Sequence, residues 1–326
     1  MRAAWYERQG SAEEVLQVGE QPEPQPGPGE VRVRLTYSGI NPGDVKKRQG
    51  REGSLMFAPL VIPHSDGAGV IDAVGAGVDP ARVGRRAWVY GAQSYRPFGT
   101  AAEATVVPDR QAVDLPDQVS DELGATLGIT GITAHRAVFG DGPVDGTVVL
   151  VHGVLGGVGL VAARLAARAG ATVLGTVRRT SDLDRVEAGA VPYTIALDQP
   201  DAVDRITALA PNGVHRIVEV ALAANADLDA AVAAQGATVA AYATDQERTA
   251  IPFWPLLFQN VTIRLLGSDD FPGEAKEQAA ADLTALAASG LLNVPIAEPY
   301  PLKDVAAAHD AVAAGARAGR VLLSLS

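Results

Sequence analysis

The chain has 326 residues, 47% hydrophobic and 20% charged, a length that suits about two globular domains. Its net charge of −11 argues against a general nucleic-acid binder, and the absence of cysteine excludes disulfides and four-cysteine zinc sites. The opening residues MRAAWYERQG lack an apolar signal core and the longest uncharged run, Thr147 to Ala163, is broken by glycines, so a soluble cytoplasmic protein without a membrane span is expected.

Arg2–Tyr6 and Leu16–Val18 read as short strands, and Pro22 to Gly29 is too proline-rich for either regular element. Val31 to Tyr37 alternates apolar and polar residues, the pattern of a half-buried antiparallel strand. Ser38 to Gly50 is a turn leading to a short helix at 44–50, which Asp44 could cap. Val61 to Gly75 continues as turn and strand, Arg86–Tyr90 is another strand, and Gly99 to Val107 leads into one more. Many short strands between Gly/Pro turns predict a compact β-rich domain. From Ser120, a helix N-cap followed by Asp121 and Glu122, the period changes, and Gly131 to Phe139 is a second helical stretch.

Thr147 to Arg179 is the most informative segment. Val148 to Val151 is a short β-branched run suited to a strand buried on both faces. Gly153, Gly156, Gly157 and Gly159 follow, then a helical stretch closed by Gly170, then a strand over Thr172 to Val177. Strand, glycine turn, helix and strand in this order make the first half of a dinucleotide-binding unit, in which glycines admit backbone close to a pyrophosphate and the helix N-terminus offers free N–H groups. The second strand ends in Arg178 and Arg179 instead of the carboxylate that would hold a ribose 2′-OH, so NADPH is the favoured cofactor. Helices are predicted at Val186–Ala190, Ala202–Leu209, Leu228–Ala234, Glu274–Ser289 and Pro301–Ala314. Strands are predicted at Arg216–Val220, Thr238–Tyr242, Ile263–Gly267 and Val321–Leu325. The alternation defines an α/β fold with a doubly wound parallel sheet, expected over 123–266, beside the β-rich domain formed by 1–122 and 267–326. No nucleophile–base or paired-carboxylate motif supports hydrolase chemistry.

Ser38 to Asp44, Pro63 to Gly75, Leu127 to Ala134, Val149 to Gly159 and Tyr300 to His309, taken together in this order, resemble the zinc-free quinone oxidoreductase (zeta-crystallin-like) branch of the medium-chain dehydrogenase/reductase superfamily. The resemblance covers essentially the whole chain. It implies a GroES-like catalytic domain around a Rossmann domain, a cleft between them, a homodimer paired through Ile263–Gly267, and hydride transfer from NADPH to a quinone or an α,β-unsaturated carbonyl. Asn41 and Asp44 match the family's N-x-x-D turn, with Asn41 expected to donate to a substrate oxygen and Asp44 to orient it or the nicotinamide ribose, or else to cap the helix. Lys46 stands where many relatives carry an aromatic residue and is a candidate for stabilising an enolate, or an exposed lysine. Thr130 matches a threonine near the nicotinamide amide, with Thr133 assisting. Gly156, Gly157 and Val158 line the pyrophosphate turn, where Val154-Leu155 replaces Ala-Ser of relatives. Asn225, expected in a loop, and Tyr242 and Arg320 complete the implied cofactor contacts, Arg320 being equally a surface charge. The zinc-dependent sister branch needs cysteine at Ser38 and a His-Glu pair at Ser65-Asp66, so no catalytic metal is expected and His64 is assigned to local packing. Two alternatives stay open: a biosynthetic enoyl reductase, with Trp88, Tyr95 and Phe98 at a specialised cleft rim, and a non-catalytic NADPH-sensing protein.

Overall fold

The structure, a computed structural model, describes residues 1–51, 54–56, 58–186, 191–315 and 319–325. Its contacts divide the chain into two units, Met1–Ile132 with Pro272–Ser326, and Thr133–Phe271. Both divisions fall further along the chain than the expected 122 and 266.

The first unit opens with β1 (Arg2–Trp5), a one-turn helix α1 (Ala12–Val15) and β2 (Gln17–Glu20), which pairs antiparallel with β1. β3 (Glu30–Gly39) buries Val31, Val33 and Leu35 and turns Arg32 and Arg34 outward, as period two requires. α2 (Pro42–Gln49) starts earlier than the expected residue 44. Pro42 fits the first helical turn, where its missing N–H costs no hydrogen bond, and Asp44 reaches back to accept from Asn41 N at 2.7 Å. Gly50, at φ 71°, ends the helix in the left-handed region. Then follow β4 (Asp66–Val74), β5 (Arg86–Val89), β6 (Ala104–Pro108), β7 (Ala112–Asp114) and the short α3 (Asp121–Gly124), whose first turn is capped by Ser120 Oγ accepting from Leu123 N at 3.2 Å.

α4 (Ile129–Phe139) carries the chain into the second unit. There β8 (Val148–Val151), α5 (Gly157–Arg168), β9 (Thr172–Val177), β10 (Tyr193–Ala196), α6 (Ala202–Leu209), β11 (Val214–Glu219), α7 (Leu222–Val232), β12 (Ala233–Ala241), α8 (Phe253–Phe258) and β13 (Thr262–Leu265) build a six-stranded parallel sheet in the order β10-β9-β8-β11-β12-β13. Strand order reverses between β8 and β11, the switch point where ligands of such sheets bind. The helix expected at Leu228–Ala234 is corrected: α7 starts at Leu222 and stops at Val232, and Ala233 and Ala234 already belong to β12. Alanine's helix propensity misled there, because pairing with β11 and burial of both alanines decide the conformation. Of the helix expected at Val186–Ala190 only Val186 is described, just past a 3-10 segment at Thr180–Arg185; the rest lies outside the described residues.

The chain then returns to the first unit through α9 (Gly273–Ala288), β14 (Tyr300–Pro301), α10 (Val305–Ala314) and β15 (Leu322–Ser324). The completed sheet runs β14-β15-β3-β4-β5-β7, with β6 also paired to β3. β15 lies antiparallel to β3 with Leu322 opposite Gly39 and Leu323 opposite Ser38. This register brings Arg320 to the start of α2. Val31, Val33, Ile71, Ala87, Val89 and Leu323 lie in this unit's core, and Leu150, Leu174, Ile195, Ile206, Ile217 and Val239 in that of the second. Trp88, expected at a cleft rim, is wholly buried, and its Nε1 donates to Thr284 Oγ1 at 3.0 Å, tying β5 to α9; Tyr95 and Phe98 are exposed.

Candidate active site

In the first unit a buried polar cluster gathers around Asn41. The Asn41 Nδ2 donates to Asp66 Oδ2 at 2.7 Å, and its Oδ1 accepts from Arg320 Nη2 at 2.7 Å and Thr130 Oγ1 at 3.2 Å. Asp66 Oδ1 accepts from Ile129 N at 2.9 Å. Gly128 makes that approach possible, because a Cβ there would lie 2.1 Å from Asp66 Oδ1. The Leu127-Gly-Ile-Thr130 stretch thus acts through three successive groups: space at Gly128, a donor at Ile129 N, and the Thr130 hydroxyl. Burial pushes Asp44 up to about 7, against the lowering influence of the Asn41 N–H and the Lys47 charge. Burial also lowers the Arg320 guanidinium, countered by the Asp66 and Asp44 charges. Arg320 is therefore no surface charge. Its Nε has no hydrogen-bond partner among the described residues, which leaves a cationic donor at the cluster. Lys46, on α2, is half-buried.

Beside this cluster, Ser38 Oγ lies 2.9 Å from His64 Nδ1 and 2.8 Å from Thr100 Oγ1, and His64 Nε2 lies 2.9 Å from His309 Nε2. All four side chains are buried. Burial holds both imidazoles below the ordinary histidine range, His309 at about 3, with the Arg48 charge adding to the effect on His309. Ser38 and His64 are thus bound to one another within this network.

In the second unit the glycine turn has the geometry of a pyrophosphate cradle. Gly153 sits at φ 69°, and a Cβ on Gly159 would lie 2.4 Å from Gly153 O, so the helix starts close against the turn. Gly156 caps α5, whose first-turn N–H groups at Gly157, Val158 and Gly159 point ahead of the helix with no carbonyl of an earlier turn to take them. Val154 is buried over Gly175, where a Cβ would meet its Cγ1 at 2.7 Å. The Val-for-Ala change in the turn is thus matched by a missing side chain on β9. Arg178 and Arg179 lie exposed directly after β9; the Arg179 main-chain oxygen accepts from Asp182 N at 2.9 Å, and its guanidinium charge acts on Asp198. The oxygens of Asp198 accept from Thr180 N at 2.9 and 3.0 Å and from Thr180 Oγ1 at 2.8 Å. Those bonds, with the Arg179 charge adding to them, hold Asp198 below the ordinary carboxylate range.

Asn225 needs correction: it lies in α7, not a loop, and its Nδ2 donates to Glu219 Oε1 and Oε2 at 3.1 and 3.0 Å. Tyr242 follows β12, its N donating to Glu219 O at 3.0 Å; burial, with Glu219 nearby, raises its phenol. Sequence reasoning missed the centre of this group. His152, Glu219 and Asp229 are all buried, with His152 Nε2 at 2.9 Å from Asp229 Oδ1 and 3.5 Å from Glu219 Oε2. His152, directly before the first turn glycine, was the available signal. Asp66 and the His64–His309 pair were also missed as network members.

A parallel sheet with a glycine turn at its switch point, in one chain with a β-rich unit that encloses an Asn-Asp-Arg cluster, is the make-up of a nucleotide-dependent dehydrogenase. Residues 27–117 match the family described as alcohol dehydrogenase GroES-like domain, and residues 157–283 that described as zinc-binding dehydrogenase. The chain is 30% identical over 298 residues to quinone oxidoreductase of Pongo abelii, covering 90% of this chain and 88% of the relative. It is 29% identical to the human quinone oxidoreductase over 301 residues, 91% and 89% of the two chains. Among solved structures, mycobacterial Rv1454c complexed with NADPH and the Pseudomonas syringae pv. Tomato DC3000 quinone oxidoreductase each superpose with a TM-score of 0.85 at 26% identity, covering 99% of both chains. The chain belongs to the quinone oxidoreductase branch of the medium-chain dehydrogenase/reductase superfamily and is an NAD(P)H-dependent oxidoreductase.

Proposed function

We propose that the protein uses NADPH to reduce a quinone or an α,β-unsaturated carbonyl without a metal. The observation that carries the cofactor choice is the pair of exposed guanidiniums at the end of β9, where the carboxylate that feels the Arg179 charge, Asp198, is already bound by Thr180 through three hydrogen bonds. A ribose 2′-phosphate suits Arg178 and Arg179, and the glycine turn suits the pyrophosphate. When bound, NADPH supplies the hydride. The chain's own residues supply orientation and charge. Arg320, fixed by Asn41, is a cationic donor for the oxygen on which negative charge develops, and the second Asn41 amide hydrogen adds to it. Thr130 and Asp66 hold that amide in place. Ser38 and His64 bind one another, and a hydroxyl is a poor substitute for the thiolate that zinc would require, which supports metal-free chemistry. No general acid is required, since solvent can protonate the product enolate.

The test is oxidation of NADPH and NADH, followed by absorbance, against quinones, enones and enoyl thioesters. Turnover with NADPH on at least one class is expected. Tight NADPH binding without turnover on any acceptor would replace this reading with a sensing role. A second copy of the chain is the proposed partner: β13 is an edge strand with Leu265 75% exposed, and α8 presents Phe253, Trp254 and Phe258 to solvent. No described helix is long and apolar enough to cross a membrane, and the proposed compartment is the cytoplasm.

A further inference from the structure

His152 sits one residue before the nucleotide turn, yet its side chain points away from solvent and is 1% exposed. Its Nδ1 lies 2.9 Å from Thr176 Oγ1, and the same oxygen accepts from Gly153 N at 3.4 Å. On the other side Nε2 lies 2.9 Å from Asp229 Oδ1. Val154 N donates to Thr176 O at 3.1 Å and His152 N to Val218 O at 3.0 Å. The turn is therefore held from below by β9 and α7 through one imidazole and one hydroxyl.

The hydrogen-bond directions follow from the donor inventory. Asp229 can only accept, so Nε2 carries a proton. With a neutral ring, the Thr176 hydroxyl donates to Nδ1 and accepts from Gly153 N–H. With a charged ring, Nδ1 donates to Thr176, which then accepts from both sides. In each case Thr176 Oγ1 connects the imidazole to the first turn glycine. The charged groups acting on the ring are Asp229 from α7 and Glu219 from the end of β11; Tyr242, beyond β12, faces Glu219. Burial alone would lower His152, but the Asp229 hydrogen bond and the two carboxylate charges outweigh it and raise it. Asn225 and Ala221 N donate to Glu219, so that carboxylate is held in place.

We infer that His152, oriented by Asp229 and acting through Thr176, is a positioning residue for the dinucleotide turn, setting affinity for the cofactor's phosphates without touching the substrate. This rests on the reading that the turn binds NADPH. Because the ring lies just behind the turn, its charge and the cofactor's phosphates are linked, and linkage is reciprocal: bound NADPH raises the His152 pKa.

The test compares wild type, Thr176→Val and Thr176→Ser. NADPH dissociation constants come from calorimetry, kcat is measured at saturating NADPH, and folding is checked by the urea midpoint. Thr176→Val keeps the shape and removes the hydroxyl. It is expected to weaken NADPH binding about tenfold, with kcat within about twofold, and Thr176→Ser restores affinity. Nitrogen NMR of the histidine ring in wild type is expected to show His152 titrating at higher pH with NADPH than without. Equal NADPH affinity in wild type and Thr176→Val, no recovery in Thr176→Ser, or a His152 titration indifferent to NADPH overturns the inference. A wild-type protein that binds no NADPH refutes the functional reading itself, a result distinct from any of these.

Discussion

Replacing Asp44 by asparagine separates the cost of a buried charge from the value of a helix cap. Asp44 is 5% exposed and accepts from Asn41 N at 2.7 Å. Its pKa rises from 3.8 to about 7, with burial the largest cause. At about 1.4 kcal/mol per pH unit, that displacement corresponds to about 4 kcal/mol. A group whose pKa is raised on folding contributes stability that is fully present below its unfolded value and lost as pH rises through the folded one. Wild type should therefore lose up to about 4 kcal/mol from this group between pH 4 and 8. Asparagine keeps the accepting oxygen and cannot ionise, but its amide N–H groups are buried for about 1 kcal/mol. Asp44→Asn is thus expected to be about 1 kcal/mol less stable than wild type below the unfolded pKa of 3.8, roughly 0.5 kcal/mol more stable at pH 5 and about 3 kcal/mol more stable at pH 8.5. The measurement is the urea midpoint of both proteins across that range. The difference between them matters, not the wild-type curve, because His64 and His309 act in the opposite direction. Their folded pKa values are depressed, so their contribution is present at neutral pH and lost as pH falls below about 6.5. A difference that stays flat from pH 5 to 8.5 would refute the assignment of Asp44 as a charge-strained buried cap.

Replacing Arg178 and Arg179 together by serine should weaken NADPH binding by roughly 10- to 100-fold, the worth of one charge-assisted phosphate contact, and leave NADH binding unchanged; equal loss for both cofactors would remove the 2′-phosphate role. Arg320→Lys keeps the charge but loses the planar fork that meets Asn41 Oδ1, so kcat should fall about tenfold with NADPH affinity unchanged. A selective loss of NADPH affinity would instead make Arg320 a cofactor contact. Gly128→Ala places a Cβ where Asp66 Oδ1 must come to meet Ile129 N, and should cost about 1–3 kcal/mol in urea unfolding together with most of the activity. Leu265→Lys should yield monomers by light scattering if β13 is the edge that pairs two copies.

Local pattern revealed the elements but not the cluster. The alternation of Val31 to Tyr37 foretold β3, and the β-branched run and glycines foretold β8, the turn and α5. Thr172–Val177 has the expected bounds. These signals lie within a few residues of one another, where periodicity and backbone sterics decide. The cluster joins positions 41, 66, 130 and 320. Its geometry depends on β15 lying beside β3 in one register, and no local pattern specifies that pairing. For the same reason Arg320 read as an ambiguous charge. The alanine-rich run at 230–234 marks the limit from the other side: local propensity was clear, and pairing overrode it.

The buried hydrogen bonds around Ser38 run in one direction that the donors and acceptors fix. Thr100 Oγ1 donates to Asp66 O at 2.6 Å, so its single proton is spent. It must then accept from Ser38, whose proton is spent in turn, and Ser38 must accept from His64 Nδ1–H. With Nδ1 protonated and the ring neutral, His64 Nε2 accepts from His309 Nε2–H, and His309 Nδ1 is left as a bare lone pair. That atom is the one in the pair that has no partner among the described residues. An unmet acceptor costs less than an unmet buried charge, so the chain closes with both imidazoles neutral. A proton added to His309 Nδ1 would place an uncompensated charge in this buried pair, and one added to His64 Nε2 would face the His309 Nε2–H and break the contact between the rings. Ser38, Thr100, His64 and His309 therefore fix the main chain at Asp66 through one set of directions, and the orientation of the Asn41–Arg320 cluster follows from it.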